Sequence, residues 1–120
     1  EFLLNPHPVD HRYYPDILDG LKVTQVEGDA EIAEGVRVIF SPGHTVGGQS
    51  VAVNTAHGIA VITGFCCNAK NFPAKGPAIA PGVHINLAEA YDTIQKIRAM
   101  ADILIPIHDP AVGRKKCIPE

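Results

Sequence analysis

Short apolar runs separated by turn-forming clusters make up most of the chain, and one later stretch switches to helical spacing. Leu21, Val23 and Val26 stand among polar neighbours between Gly20 and Glu27, which predicts a strand. Gly28-Asp29 reads as a turn and Ala30 to Gly35 as a short acidic link. Val36 to Phe40 is the next strand. Val51 and Val53 alternate with Ala52 and Asn54, a half-buried strand, and Ile59 to Thr63 returns after a hairpin turn at Ala56-His57-Gly58. Residues 64 to 85 carry many Gly and Pro and no period, so a long loop is expected there, of a length that is usually functional or ordered by a partner. Asn86 then opens a helix, with Glu89 three residues on as the second half of a capping box. Leu87, Ala90, Tyr91, Ile94, Ile97 and Ala101 recur at helical spacing and mark its buried face, and the helix ends near Asp102. Ile103 to Ile107 is a wholly apolar strand that Pro106 places at or near a sheet edge.

The 120 residues are enough for one domain or part of one. Hydrophobic residues make up 46%, sufficient for a core, while charged residues reach only 19%, fewer than an ordinary surface would carry. That imbalance is what one half of a larger fold would show. A net charge of −3 gives no basic field for nucleic acid. No run is long and apolar enough to span a membrane, and no signal pattern opens the chain, which begins at Glu1 and so reads as a piece or a processed product. Cys66, Cys67 and Cys117 are odd in number and two are adjacent, which fits a reducing, cytoplasmic setting better than a disulfide scaffold. Residues 1 to 20, interrupted by Pro6, Pro8 and Pro15, read as an irregular connection in which Tyr13-Tyr14 can pack on the body. The Arg114-Lys115-Lys116 tail reads as a solvated basic patch.

The stretch that carries chemistry is Phe40-Ser41-Pro42-Gly43-His44-Thr45-Val46-Gly47-Gly48-Gln49. Pro42 sets one backbone dihedral and Gly43 can take the positive φ of a sharp turn, so His44 sits in a stiff loop at a strand end. A metal-ligating imidazole needs such a placement, because its ring nitrogen must be aimed closely. Pro42-Gly43-His44-Thr45 followed by Gly47-Gly48-Gln49-Ser50 resembles the P-G-H-T-x-G motif of the metallo-β-lactamase superfamily, and within it the N-acyl-homoserine-lactonase-like hydrolases. The resemblance runs from about Leu21 to Pro110. It implies an α+β fold, the C-terminal half of an αββα sandwich with a mostly antiparallel sheet and one long helix. Residues 1–20 would be the connection, 21–110 the half-sandwich and 111–120 the tail.

The resemblance further implies a metal-dependent hydrolase of a small acyl substrate, a lactone, ester or thioester, with zinc as the expected ion. His44 looks like the third histidine of the first metal site. His108, in Ile105-Pro106-Ile107-His108-Asp109-Pro110, looks like the histidine of the second. Where lactonases carry the bridging Asp this chain has Phe65, and where some carry a tyrosine it has Asn68. Cys66, one position on, is a candidate replacement ligand, since a thiolate binds zinc at about 2.3 Å and matches a carboxylate in charge. The alternative is that Cys66 and Cys67 are both buried small hydrophobes. No H-x-H-x-D-H occurs in the 120 residues. His7-Pro8-Val9-Asp10-His11 lacks its second histidine and reads as solvated loop. One histidine per site cannot hold zinc tightly, so the chain alone is expected to be inactive, to need the other half of the fold, and to self-associate without it. No residue is assigned as a nucleophile. A different class also fits: a non-catalytic metal- or redox-sensing module that kept the fold and lost the bridging Asp.

Overall fold

A computed structural model describes residues 18–119. His7, His11, Tyr13 and Tyr14, and with them most of the expected N-terminal connection, lie outside these residues. One five-stranded sheet carries the chain in simple sequential order: β1 (Ala30–Ala33), β2 (Val36–Phe40), β3 (Gln49–Thr55), β4 (Gly58–Ile62) and β5 (Ile103–Ile105). The first four strands run antiparallel, and β5 lies parallel to β4 after a crossover through α1 (Leu87–Met100). A parallel neighbour needs a crossover of this kind, since a hairpin cannot reverse direction twice. The α+β half-sandwich expected from the sequence is therefore present, with one long helix and β5 at an edge.

The sheet and α1 bury a single core. Ala52 lies opposite Val61, and Val61 opposite Leu104, so one row of side chains crosses three strands on one face. Ile39, Ala52 and Val61 join Ile94 and Ile97 of α1 in that core, and Phe65, Cys67, Phe72 and Ala78 from the long loop close it. Ile94 and Ile97 are fully buried. Arg98 holds the same loop from outside by donating from Nη1 to the carbonyls of Pro73 at 3.1 Å and Gly76 at 3.0 Å. A second clamp joins α1 to the sheet: Lys96 Nζ donates to both carboxylate oxygens of Asp29 at 3.1 Å, and Asp29 accepts from the Phe40 amide. Partial burial pulls the Asp29 carboxyl upward, but the Phe40 amide and the Lys96 charge outweigh it and hold the group below its ordinary value.

Four expectations are corrected. Residues 21–27 form no strand, and Leu21 and Val23 stand exposed. The sheet edge they would need is taken by β1, built from the supposed acidic link. Glu34 and Gly35, the latter at φ 72°, make a tight turn that folds Ala30–Ala33 back onto β2, with Glu31 and Ile32 facing solvent as on many edge strands. Leu87 is not on the buried face of α1 but 59% exposed, lining an open groove with residues 78–80. The capping box at Asn86 is half formed. Its side chain accepts from the Glu89 amide at 3.2 Å, whereas its own amide donates to the Gly43 carbonyl rather than to Glu89. Finally, β5 stops at Ile105 instead of Ile107, since Pro106 has no amide to continue the ladder. The long loop is irregular as expected, apart from a single 3₁₀ turn at Ala69–Asn71.

Candidate metal site

His44 is seated by four separate ties on its own turn. β2 ends at Phe40, and Ser41 returns to the sheet through its amide, which donates to the Gly48 carbonyl at 2.7 Å. The buried Ser41 hydroxyl pairs with Ser50 Oγ at 2.8 Å, and Ser50 Oγ accepts from the Gly64 amide at 3.2 Å. The Pro42 carbonyl accepts from Thr93 Oγ1 of α1 at 2.8 Å. Gly43 has φ 109°, and a Cβ there would run into the Ala90 backbone, so glycine is required both for the turn and for the approach of the helix. The Gly43 carbonyl accepts from the amides of Ile85 at 2.8 Å and Asn86 at 3.1 Å.

This docking lays the Val83–Asn86 segment beside the turn. His44 Nδ1 donates to the Val83 carbonyl at 2.7 Å. A carbonyl only accepts, so the proton is on Nδ1 and the neutral ring keeps its lone pair on Nε2. Backbone carbonyls commonly fix the tautomer of a metal-ligating histidine in this way. His84, which the sequence reading passed over, makes a similar bond from Nδ1 to the Pro81 carbonyl at 2.7 Å. Its only signal was adjacency to a loop that turned out to contact His44.

His108 follows β5, and since β2, β4 and β5 run in one direction, it leaves the sheet at the same end as the turn that carries His44. The Thr63 amide donates to the Ile105 carbonyl, the Ile107 amide to Thr63 Oγ1 at 3.2 Å, and the His108 amide to the Cys67 carbonyl at 3.2 Å. Asp109 completes the seam by accepting from the amides of Ala69 and Ala111. Those two bonds hold its carboxyl below the ordinary range. Beyond β4 the chain keeps a strand's alternation. Thr63, Phe65 and Cys67 are buried, while Gly64, Cys66 and Asn68 are turned outward or half-buried. Phe65 is therefore a core residue, 3% exposed. Cys66 faces the opposite way, and its Sγ stands 3.4 Å from His108 Nε2. Cys67 is the buried small hydrophobe of the pair. Its thiol donates to Thr63 Oγ1 at 3.1 Å, and burial pushes it up to about 11.

The structure thus brings two of the three expected ligands together, Cys66 and His108, and separately orients the third, His44. Among the described residues no group of three or more His, Cys, Asp or Glu is placed to hold a metal ion. The donors present suit a metal in kind, with a tautomer-fixed imidazole and a thiol beside an imidazole, but they are too few to make a complete site. An open apolar groove of about 720 Å³ lies between the 78–80 segment and the start of α1, lined by Ala78, Ile79, Leu87 and Tyr91, with Asp92 at its edge. No helix of the described residues is long and apolar enough to cross a membrane.

Comparison with known proteins places this architecture. No family model matches the chain, and no curated protein does either. Among solved structures, the chain superposes on an N-acyl homoserine lactone hydrolase with the product N-hexanoyl-L-homoserine bound at the catalytic metal center. The TM-score is 0.66 and the identity 23%, over 92% of this chain and 46% of that one. A variant of AiiA from B. thuringiensis with N-decanoyl-L-homoserine bound at its active site gives the same score, identity and coverage. A quorum-quenching N-acyl homoserine lactone hydrolase matches at TM-score 0.65 and 25% identity, over 92% of this chain and 48% of that one. The chain has the fold of part of these lactonases, and spans a little under half their length.

Proposed function

We propose that this chain supplies part of the metal centre of a hydrolase acting on a lactone, ester or thioester. His44 and Cys66–His108 are its contributions, and zinc is the expected ion. The observation that carries the reading is the His44–Val83 bond, which leaves Nε2 bare at the end of a strand in a fold shared with lactonases that have a catalytic metal centre. A bound divalent ion would supply an activated water at neutral pH and polarise the substrate carbonyl. The residues of this chain would hold and orient. Val83 keeps His44 in one tautomer, Gly43 and Thr93 fix the turn against α1, and the Thr63–Ile107 seam fixes His108. The apolar groove beside α1 suits the alkyl portion of an acyl substrate, in line with the hexanoyl and decanoyl compounds bound by the structural relatives. A reducing compartment suits the free thiols.

The described residues do not complete a site by themselves, because metal centres take three or four protein ligands and no such group occurs among them. The test is metal content and turnover of an acyl homoserine lactone, measured on the 120-residue chain and on the product of the whole reading frame that encodes it. The reading expects no turnover from the former, and metal with turnover from the latter. Metal-free protein, or metal without hydrolysis, in the latter defeats it. One observation favours a second reading in that event. Phe65 takes into the core the position where the resemblance expects the bridging carboxylate, as a non-catalytic sensing module would allow. Self-association of the half-length chain is read by light scattering, and a clean monomer at high concentration excludes it.

A further inference from the structure

We infer that Ser50 is the positioning residue that fixes His44 and His108 relative to one another. Its buried hydroxyl joins the turn that carries the first to the segment that holds the second. The inference rests on the metal reading above, since it concerns the two histidines offered there, and deepens it by naming what sets their spacing.

Ser50 lies opposite Ile39 in the β2–β3 register, on the face where Ile39, Ala52 and Val61 pack against α1. It is 0% exposed, and Ser41 and Thr63 are 1% exposed. A hydroxyl in so apolar a place costs free energy unless it is hydrogen-bonded. Ser41 Oγ is 2.8 Å from the Ile39 carbonyl and 2.8 Å from Ser50 Oγ, and Ser50 Oγ is 3.2 Å from the Gly64 amide. The carbonyl can only accept, the amide can only donate, and each hydroxyl has one proton. A single arrangement of protons then makes all three bonds. The Gly64 amide donates to Ser50, Ser50 donates to Ser41, and Ser41 donates to the Ile39 carbonyl.

This chain of bonds crosses from the end of β2, through the start of β3, to the residues just past β4. Ser41 opens the turn to His44 at one end of it. At the other end stands Thr63, next to Gly64. Its amide donates to the Ile105 carbonyl, and its Oγ1 accepts from the amide of Ile107, the residue before His108. The backbones approach closely here. A Cβ on Gly48 would meet the Ser41 carbonyl, and one on Gly64 would meet the Gln49 carbonyl. Serine has the shortest hydroxyl side chain and fits that gap. Alanine at position 50 would take the acceptor from the Gly64 amide and untie the two strand ends.

The test is nitrogen NMR of the metal-free 120-residue protein, comparing Ser50→Ala, Ser41→Ala and Ile97→Val. Ile97→Val loosens the same core from α1 without touching the hydroxyls, so it controls for lost stability. In Ser50→Ala the Gly64 amide should exchange about 10-fold faster relative to the amides of β3, as expected for one lost hydrogen bond. The ring nitrogens of both His44 and His108 should shift in the same variant. In Ser41→Ala only the His44 ring should shift, and Gly64 should keep its protection. Ile97→Val should move neither ring. Unmoved rings in Ser50→Ala, or equal shifts in Ile97→Val, overturn the inference. If Ser50→Ala does not fold, Ser41→Ala decides, and an unmoved His44 ring there overturns it. Metal and turnover do not enter this readout. Shifted rings together with a metal-free product of the whole reading frame would keep the role of Ser50 and sink the metal reading, and turnover with unmoved rings would do the reverse.

Discussion

His44 Nδ1 meets the carbonyl oxygen of Val83 at 2.7 Å, across 39 positions of sequence. The bond joins the turn after β2 to the segment that leads into α1, so the orientation of the ring depends on how the helix start is docked. Nitrogen-detected NMR of the neutral imidazole should show the proton on Nδ1 and a bare Nε2. A spectrum dominated by the Nε2–H form, which is the commoner one in free histidine, contradicts this geometry.

Gly43 is where that docking is least tolerant. Alanine there would have to hold φ near 109° and place its Cβ into the Ala90 backbone. Gly43→Ala is expected to cost about 3 kcal/mol, combining an unfavourable dihedral with overpacking. Urea denaturation followed by the helix signal measures it. The same variant should broaden or shift the His44 ring resonances, since the Gly43 carbonyl anchors Ile85 and Asn86 beside Val83.

The half-formed cap makes a contrasting pair of variants. Asn86→Ala removes the acceptor of the Glu89 amide and should lower stability by about 1 kcal/mol. Glu89→Ala should change it by less than half as much, because Gly43 and not Glu89 satisfies the Asn86 amide. Equal losses in the two would mean that a full capping box operates in solution.

Cys67 gives the protein an alkaline limit. Its thiol is raised to about 11, well above the ordinary cysteine value of 9.0, chiefly by burial. A group whose folded value lies above its unfolded one contributes stability that is complete below the unfolded value and lost as the pH rises through the folded one. Denaturation midpoints should therefore fall between about pH 9 and pH 11, and Cys67→Ala should flatten that fall while lowering stability at neutral pH through lost packing. A midpoint independent of pH over this window would show that the thiol is not buried as described.

Much of this architecture is local in origin and could be read along the chain. The apolar runs of Val36–Phe40 and Gly58–Ile62, the alternation in Gln49–Thr55, the turn at Ala56-His57, the Asn86 start of α1 and the Pro42-Gly43-His44 turn all follow from residues within a few positions of one another. Periodicity and turn chemistry act over that range. The choice of Ala30–Ala33 over residues 21–27 for the sheet edge was not legible, since both stretches pair plausibly and only the tight turn at Glu34-Gly35 decides between them. Nor was the exposure of Leu87, which depends on where the distant 78–80 segment lies against the start of α1.

By itself the sequence determined four of the five strands, the helix and the two histidines carried at strand ends, because each is set by spacing and by proline or glycine at a fixed place. Tertiary structure alone decided that Phe65 turns inward and Cys66 outward to stand against His108. That contact spans 42 positions. It exists because β5 pairs in parallel with β4 and carries the chain past its edge at one particular register, Ile62 beside Ile105. A pairing register is settled by the packing of a whole face against α1, and no short window of residues contains it.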